Sequence, residues 1–149
     1  MAITCGRSGE ILYVSHQDDA IDWEKAKEDG ITPDSFRDNP TEEAISKLQA
    51  RQGEVLTVFH LDLPHPNVMK NSQALPDGIP QAHFLTAKCL KRVDNLLDSN
   101  GSPVQMTHTR ATRMLDDTSI AKIPAAIIWE IGFFLMVMSS GIEAPLPQS

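Results

Sequence analysis

The sequence lacks the short motifs by which catalytic sites are most often recognised. It contains no GxxxxGK[ST] or GxGxxG phosphate loop, no HExxH or CxxC motif and no GxSxG nucleophile turn. The glycine-flanked segment Gly6-Arg7-Ser8-Gly9 is therefore not a phosphate loop. There is also no internal repeat and no low-complexity block. We accordingly predict no enzyme activity, with no catalytic, cofactor-binding or metal-binding residues.

Cysteine is scarce, with two residues in 149. Cys5 and Cys89 are far apart and follow no metal or redox spacing. Cys89 lies in a predicted helix, where it is most simply a small buried apolar residue. The first residues have no positively charged start and no long apolar stretch, so we expect no signal peptide and a reducing, cytoplasmic site of synthesis.

Positive charge is also scarce, and the formal net charge is −7. Residues 1–62 hold 13 acids and 6 bases, giving −7, whereas residues 63–149 hold 7 of each, giving 0. An acidic front half disfavours nucleic-acid binding, which normally needs a basic surface. It suits a solvated face or, as an alternative, a surface that binds a basic protein.

One strongly apolar run stands out against this polar background. Residues 123–141 read IPAAIIWEIGFFLMVMSSG, with Pro124 suited to the first turn of a helix and Gly141 to its C-terminal cap. A helix that is apolar on nearly all sides is buried or meets a partner. A membrane helix is the alternative, but Glu130 near the centre disfavours it at a cost of about 2.5–3.5 kcal/mol. We predict a core or interface helix at 124–140.

The remaining patterns predict a single α+β domain over residues 1–149, with a small antiparallel sheet or hairpins and about four helices. Alternating apolar residues predict a strand over 54–63, and shorter runs predict a hairpin. Helical spacing and capping residues predict the helices. The predicted hairpin strands are residues 2–5 and 10–15. Besides the helix at 124–140, the sequence predicts a helix from Asp18 or Asp19 to Asp29, a helix that Asn39 caps and that ends at Gln52, a helix over 81–98, and a helix from Thr107 or Thr109 to Leu115.

Residues 64–80 are rich in proline, with Pro64, Pro66, Pro76 and Pro80. This composition predicts a long loop. Loops of this length in compact domains are often functional or mobile, so the segment could be an arm that reaches a neighbouring subunit or a flexible excursion.

Two polar groupings resemble sites. His60 and Asp62 share one face of the predicted strand and His65 follows it, which is a donor set that zinc or iron could use. No signature spacing supports a metal there, and surface histidines are the simpler interpretation. Ser15, His16 and Asp18 contain the residue types of a catalytic triad, but such sites depend on spatial roles rather than adjacency.

Two arginines, Arg110 and Arg113, fall on one face of the predicted 107–115 helix. They could bind phosphate, although ordinary surface ion pairing is the simpler interpretation.

Several segments resemble small proteins encoded among the head and tail genes of tailed bacteriophages. In that group a helix ending in a Trp-Asn-Leu-like segment precedes DxxGxPVPF, and a LPPEVIxELAxxI helix follows. The matching residues here are Asn95–Asp98, Asn100-Gly101, Pro103-Val104 and Ile123–Ile131. An upstream TVFxLxPL segment is similar to Thr57–Leu61. None of these motifs is catalytic.

The resemblance implies a non-enzymatic structural or assembly protein of a phage particle, which packs against other phage structural proteins and copies of itself. The expected location is the virion, or the host cytoplasm during assembly, without nucleic-acid or membrane partners. An acidic inhibitor of a basic host protein is the alternative. The predicted interface residues come from the apolar helix and the proline-rich segment: Trp129, Phe133, Phe134, Met136, Met138, Pro64, Pro66, Leu75 and Pro76.

Overall fold

The structure is a computed structural model that describes residues 10–38, 40–52 and 55–143. These residues form three strands and seven helices, which confirms the α+β class with more helices than the four or so predicted. The strands make one antiparallel sheet in the order β1-β2-β3. The elements are β1 (Glu10–Tyr13), α1 (Trp23–Glu28), α2 (Pro33–Asp38), α3 (Glu42–Gln52), β2 (Val58–Asp62), α4 (Pro66–Gln73), α5 (Ile79–Cys89), β3 (Leu90–Asp94), α6 (Asp117–Ile120) and α7 (Ala125–Glu143).

Contacts along the chain divide it into two compact units. The sheet unit comprises Ile11–Leu61 and Lys91–Gln105, and it contains α1, α2, α3 and most of the sheet. The helical unit contains, among the described residues, Asp62–Leu90 and everything from Met106 onward, and therefore α4 to α7. The single-domain boundary drawn from the sequence stays a prediction.

The core of the sheet unit is apolar and closely packed. The rings of Trp23 and Phe36 meet edge to face, with centroids 6.2 Å apart. The buried members of this core come from β2, the three helices and the segments between them: Val14, Ile21, Ala26, Ile31, Phe36, Ile45, Leu48, Leu56 and Val58.

The first helices differ from their predicted bounds. Helix α1 begins at Trp23 rather than near Asp18 or Asp19, because the Asp22 carboxylate caps it by accepting two N–H groups of its first turn. The sequence predicts a loop over 31–39 because of Pro33 and several polar residues, but this prediction is wrong for Pro33–Asp38, which is α2. Pro33 suits a first helical position, and the Thr32 and Ser35 hydroxyls each accept the other residue's backbone N–H at 3.1 Å.

The predicted bounds of α3, β2 and β1 agree better with the structure. Helix α3 matches its predicted end, although the predicted cap Asn39 lies outside the described residues. Strand β2 falls inside the predicted strand over 54–63, and β1 falls inside the second hairpin strand. The first hairpin strand, 2–5, lies outside the described residues.

The predicted helix over 81–98 is wrong beyond Cys89. Leu90 adopts extended backbone angles, and β3 then pairs with β2 in the sheet. Strand pairing therefore overrides the helical spacing of apolar residues that continues to Val93. The Asn100-Gly101 turn does form, since Gly101 has φ +81° and the Asp98 carboxylate accepts the N–H groups on either side of it.

The predicted long loop over 64–80 is wrong for residues 66–73, which form α4. The His65 ring accepts the Asn67 N–H at 3.3 Å, and Pro66 occupies the first helical position. Proline there starts a helix rather than excluding one. The C-terminal end of the segment leads into α5 through Gly78, whose φ of +95° favours glycine.

The predicted helix over 107–115 is also wrong. Thr109 donates its N–H to the Met114 carbonyl, and Arg113 has φ +60°, so the segment folds into a turn closed by a bridge between His108 and Leu115. Threonine hydroxyls in this segment hydrogen-bond locally and compete with helix formation.

Short helix α6 follows this turn, within residues 116–122, for which the sequence predicts only a link to the apolar run. The Asp116 carboxylate caps α6 by accepting the N–H of Ser119 and the hydroxyl of Thr118, each at 2.8 Å. These hydrogen bonds lower the pKa of Asp116 to about 2. Pro124 then precedes α7, whose bounds are close to the predicted 124–140.

Candidate interaction surface on helix α7

One face of α7 is fixed against α5. Ile131 and Leu135 are fully buried on this face. At Gly132 the backbones approach so closely that an added Cβ would lie 2.5 Å from both the Cα and the Cβ of Ala82. Such a crossing requires glycine on one side and a small residue on the other. The close contact between Gly132 and Ala82 therefore sets the orientation of α7 on α5.

The opposite face of α7 is apolar and open to solvent. Trp129, Phe133 and Val137 recur every four residues and so share one side of the helix. Their exposed fractions are 46%, 59% and 52%. Ile79, at the start of α5, is 52% exposed as well. We call Trp129, Phe133 and Val137 the α7 ridge. Apolar patches of this kind usually mark interaction surfaces.

A small groove runs beside the α7 ridge. Its volume is about 70 Å³, and it is lined by Gly78, Gln81 and Ala82 from α5 and by Trp129, Phe133 and Met136 from α7. Small-molecule sites usually enclose about 300–1,000 Å³. The groove is therefore suited to one apolar side chain of a partner rather than to a cofactor.

Gln81 is the polar component of this groove. Gln81 is 8% exposed as a residue, and it lines the groove wall.

The predicted interface residues divide between this surface and other places. Trp129, Phe133 and Met136 line the groove, whereas Phe134 and Met138 are half-buried elsewhere on α7. In the proline-rich segment, Pro66 and Pro76 are exposed, Leu75 is half-buried and Pro64 is buried, and none of the four lines the groove. Their role as contacts stays a prediction.

Sequence reasoning missed the α5 side of the surface, Gly78, Gln81 and Ala82, and also missed Val137. The four-residue spacing from Phe133 could have identified Val137. A glycine inside an apolar helix, Gly132, could have signalled a close helix crossing.

The histidines of the possible metal site serve other purposes. His60 Nε2 lies 2.8 Å from the Asp94 carboxylate and 3.5 Å from the Arg92 guanidinium. His65 caps α4. Among residues 10–38, 40–52 and 55–143, no group of three or more acidic, histidine or cysteine side chains could hold a metal ion.

The triad-like residues near Ser15 stabilise turns. The Ser15 hydroxyl accepts the Gln17 N–H, and the two Asp18 oxygens accept the N–H groups of Ala20 and Thr57. This arrangement uses Ser15 and Asp18 as hydrogen-bond acceptors for the backbone, as in the turns that serine and aspartate commonly form.

The remaining residues that the sequence singled out are the two arginines of the predicted 107–115 helix, Cys89 and the Gly6–Gly9 segment. Arg110 and Arg113 lie in a turn rather than on a helix, and neither forms an ion pair with a described residue. Burial, and then the charge of Asp62, raises the pKa of the Cys89 thiol to about 12. Cys89 is therefore a buried protonated thiol, as the sequence indicated. The Gly6–Gly9 segment lies outside the described residues.

No protein-family model matches this sequence, no curated protein is significantly similar to it, and no solved structure matches its fold. Among the described helices, none has both the length and the apolar composition needed to cross a bilayer. The surface of α7 and the sequence resemblance are therefore the observations that bear on the function of this protein.

Proposed function

We propose that this protein is a non-enzymatic assembly or structural protein of a tailed bacteriophage, which packs against neighbouring subunits through the α7 ridge. The observation that carries the packing role is the solvent-exposed position of Trp129, Phe133 and Val137 on a helix whose other face is fixed. The phage assignment rests on the sequence resemblance, mainly over residues 55–63 and 84–131.

The size of the surface is consistent with this role. Aromatic side chains bury about 150–250 Å² when fully covered, so the ridge with Ile79 offers roughly 200–400 Å² of apolar surface. Covering that surface contributes about 5–10 kcal/mol before the costs of association.

Phe133→Asp tests the proposal, because the substitution places a charge at the most exposed ridge position. We expect the variant to fold normally but to be lost from purified particles, measured by quantitative mass spectrometry of particles and of infected lysate. Leu97→Asp is the matched control, since Leu97 is 56% exposed but lies in the sheet unit. Equal incorporation of both variants would refute the packing role, and absence of the wild-type chain from particles and their precursors would refute the phage assignment.

The alternative is an acidic protein that binds a basic host protein. Several acids of the front half already have basic neighbours, which weakens the case for a uniformly acidic docking face. The ion pairs are Arg37 with Asp34 and Asp38, Lys47 with Glu43, and Arg51 with Glu28 and Asp29. A host protein captured at low salt and released at high salt would favour this alternative.

A further inference from the structure

We infer that the neighbour covering the α7 ridge is a second copy of this chain, in a twofold dimer in which α7 packs against α7. This inference deepens the proposed function and rests on its assignment of the ridge as a packing surface. It adds the identity of the partner and the symmetry of the contact.

The ridge and the groove lie side by side on the same face. Trp129, Phe133 and Val137 form a row with four-residue spacing, and the groove next to them reaches Gly78, Ala82 and Met136. Helices commonly pack by placing such rows into the grooves of a partner, at about −50° when both helices use four-residue rows. A twofold rotation lets each copy place one ridge side chain in the other's groove, which has room for a single apolar side chain.

The charge of the face also favours a copy of itself. From Ala125 to Ser139, α7 carries one charged residue, Glu130, which is half-buried and already takes part in an interaction. The ridge and the groove lining are uncharged. A strongly charged partner would find no complement there, whereas two copies of an uncharged face approach without repulsion.

The available area fits a reversible dimer. Two copies together contribute roughly 400–800 Å² of apolar surface from the ridge and Ile79. Because apolar atoms make up about 56–65% of an interface, the whole contact would bury roughly 600–1,400 Å². Stable interfaces start near 1,200 Å², so most of this range belongs to the weak, transient class, and we expect a reversible dimer with a dissociation constant in the micromolar range, on the order of 10 µM.

Sedimentation equilibrium of the purified full-length chain, over a concentration series that spans this range, tests the inference. We expect a monomer–dimer equilibrium for the wild type and for Leu97→Asp. Phe133→Asp should weaken dimerisation by about 30-fold or more, as for a central aromatic contact. Far-UV circular dichroism checks that the variants fold.

Site-directed cross-linking provides a second, independent measurement. In a Cys5→Ser background, W129C, F133C and V137C are each treated with a short thiol cross-linker, with L97C as the matched control. Cys89 does not interfere because it is buried and protonated. We expect at least one ridge variant to cross-link between copies and L97C not to do so.

The outcomes separate this inference from the proposed function. A wild-type chain that stays monomeric to hundreds of micromolar overturns the dimer, even if Phe133→Asp is lost from particles. A dimer that survives Phe133→Asp and cross-links at no ridge position overturns it too. A ridge-dependent dimer whose loss leaves particle incorporation unchanged supports the inference and refutes the proposed packing role.

Discussion

The helix pairs α5–α7 and α1–α3 are held together in different ways. In the helical unit, Gly132 meets Ala82 with no room for another atom. In the sheet unit, Arg51 of α3 reaches the end of α1, where its guanidinium contacts the Glu28 and Asp29 carboxylates at 3.2 and 2.8 Å. The first contact depends on shape alone, whereas the second adds a surface charge contact to the apolar core that α1 and α3 share.

This difference bears on which helix can present a docking surface. Close packing fixes which residues of α7 face outward, because rotating the helix would drive Gly132 into Ala82. Exposed ion pairs tolerate displacement, since water screens them and long side chains adjust. A rigid face loses less entropy when it binds, so α7 is the better element for recognition.

The largest expected effect separates the two faces of α7. Leu135→Ala removes a fully buried side chain and should lower the free energy of unfolding by about 2–5 kcal/mol. Val137→Ala truncates an exposed side chain two residues away and should change it by less than about 0.5 kcal/mol. Urea denaturation of both variants, at concentrations low enough for monomers, makes the measurement. Similar losses would show that the open face is buried in the monomer.

A smaller loss is expected from filling the helix crossing. Gly132→Val places atoms where a Cβ would already lie 2.5 Å from Ala82, and such overpacking costs about 1–3 kcal/mol. The matched control is Ala126→Val, an exposed position on the same helix, which should cost only about 0.5 kcal/mol through helix propensity. If chemical denaturation gave equal midpoints for the two variants, the close contact would be disproved.

The sequence predicts the elements whose signals are local. Helix α3 and helix α7 follow from apolar spacing, and β2 follows from a short run of β-forming apolar residues that Pro64 ends. The boundary between α5 and β3 could not be predicted in the same way, because Val93 fits a helix as well as a strand. Its state depends on pairing with β2, which is distant in the chain.

The candidate surface was predictable only on its α7 side. The apolar run itself indicates that Trp129 and Phe133 are interface candidates. Nothing in the spacing of Gln81 and Ala82 shows that α5, rather than another helix, would cover one face of α7 and leave the other open. That choice depends on tertiary packing.

The smallest effect is expected from the charged contact. Arg51→Ala should change the free energy of unfolding only slightly, because the contacting groups lie at the surface and salt screens them. The contribution of the Arg51–Asp29 contact should be visible in how the stability depends on pH under acidic conditions. The Arg51 hydrogen bond lowers the pKa of Asp29 below 3.8, so this contribution is complete above about pH 4 and is lost as the pH falls further. Unfolding midpoints measured from pH 7 to pH 2 should therefore converge for wild type and Arg51→Ala at the acid end, whereas Gly132→Val should keep its deficit throughout. A wild-type advantage over Arg51→Ala that grew towards acid would show that the Asp29 contact does not stabilise the fold.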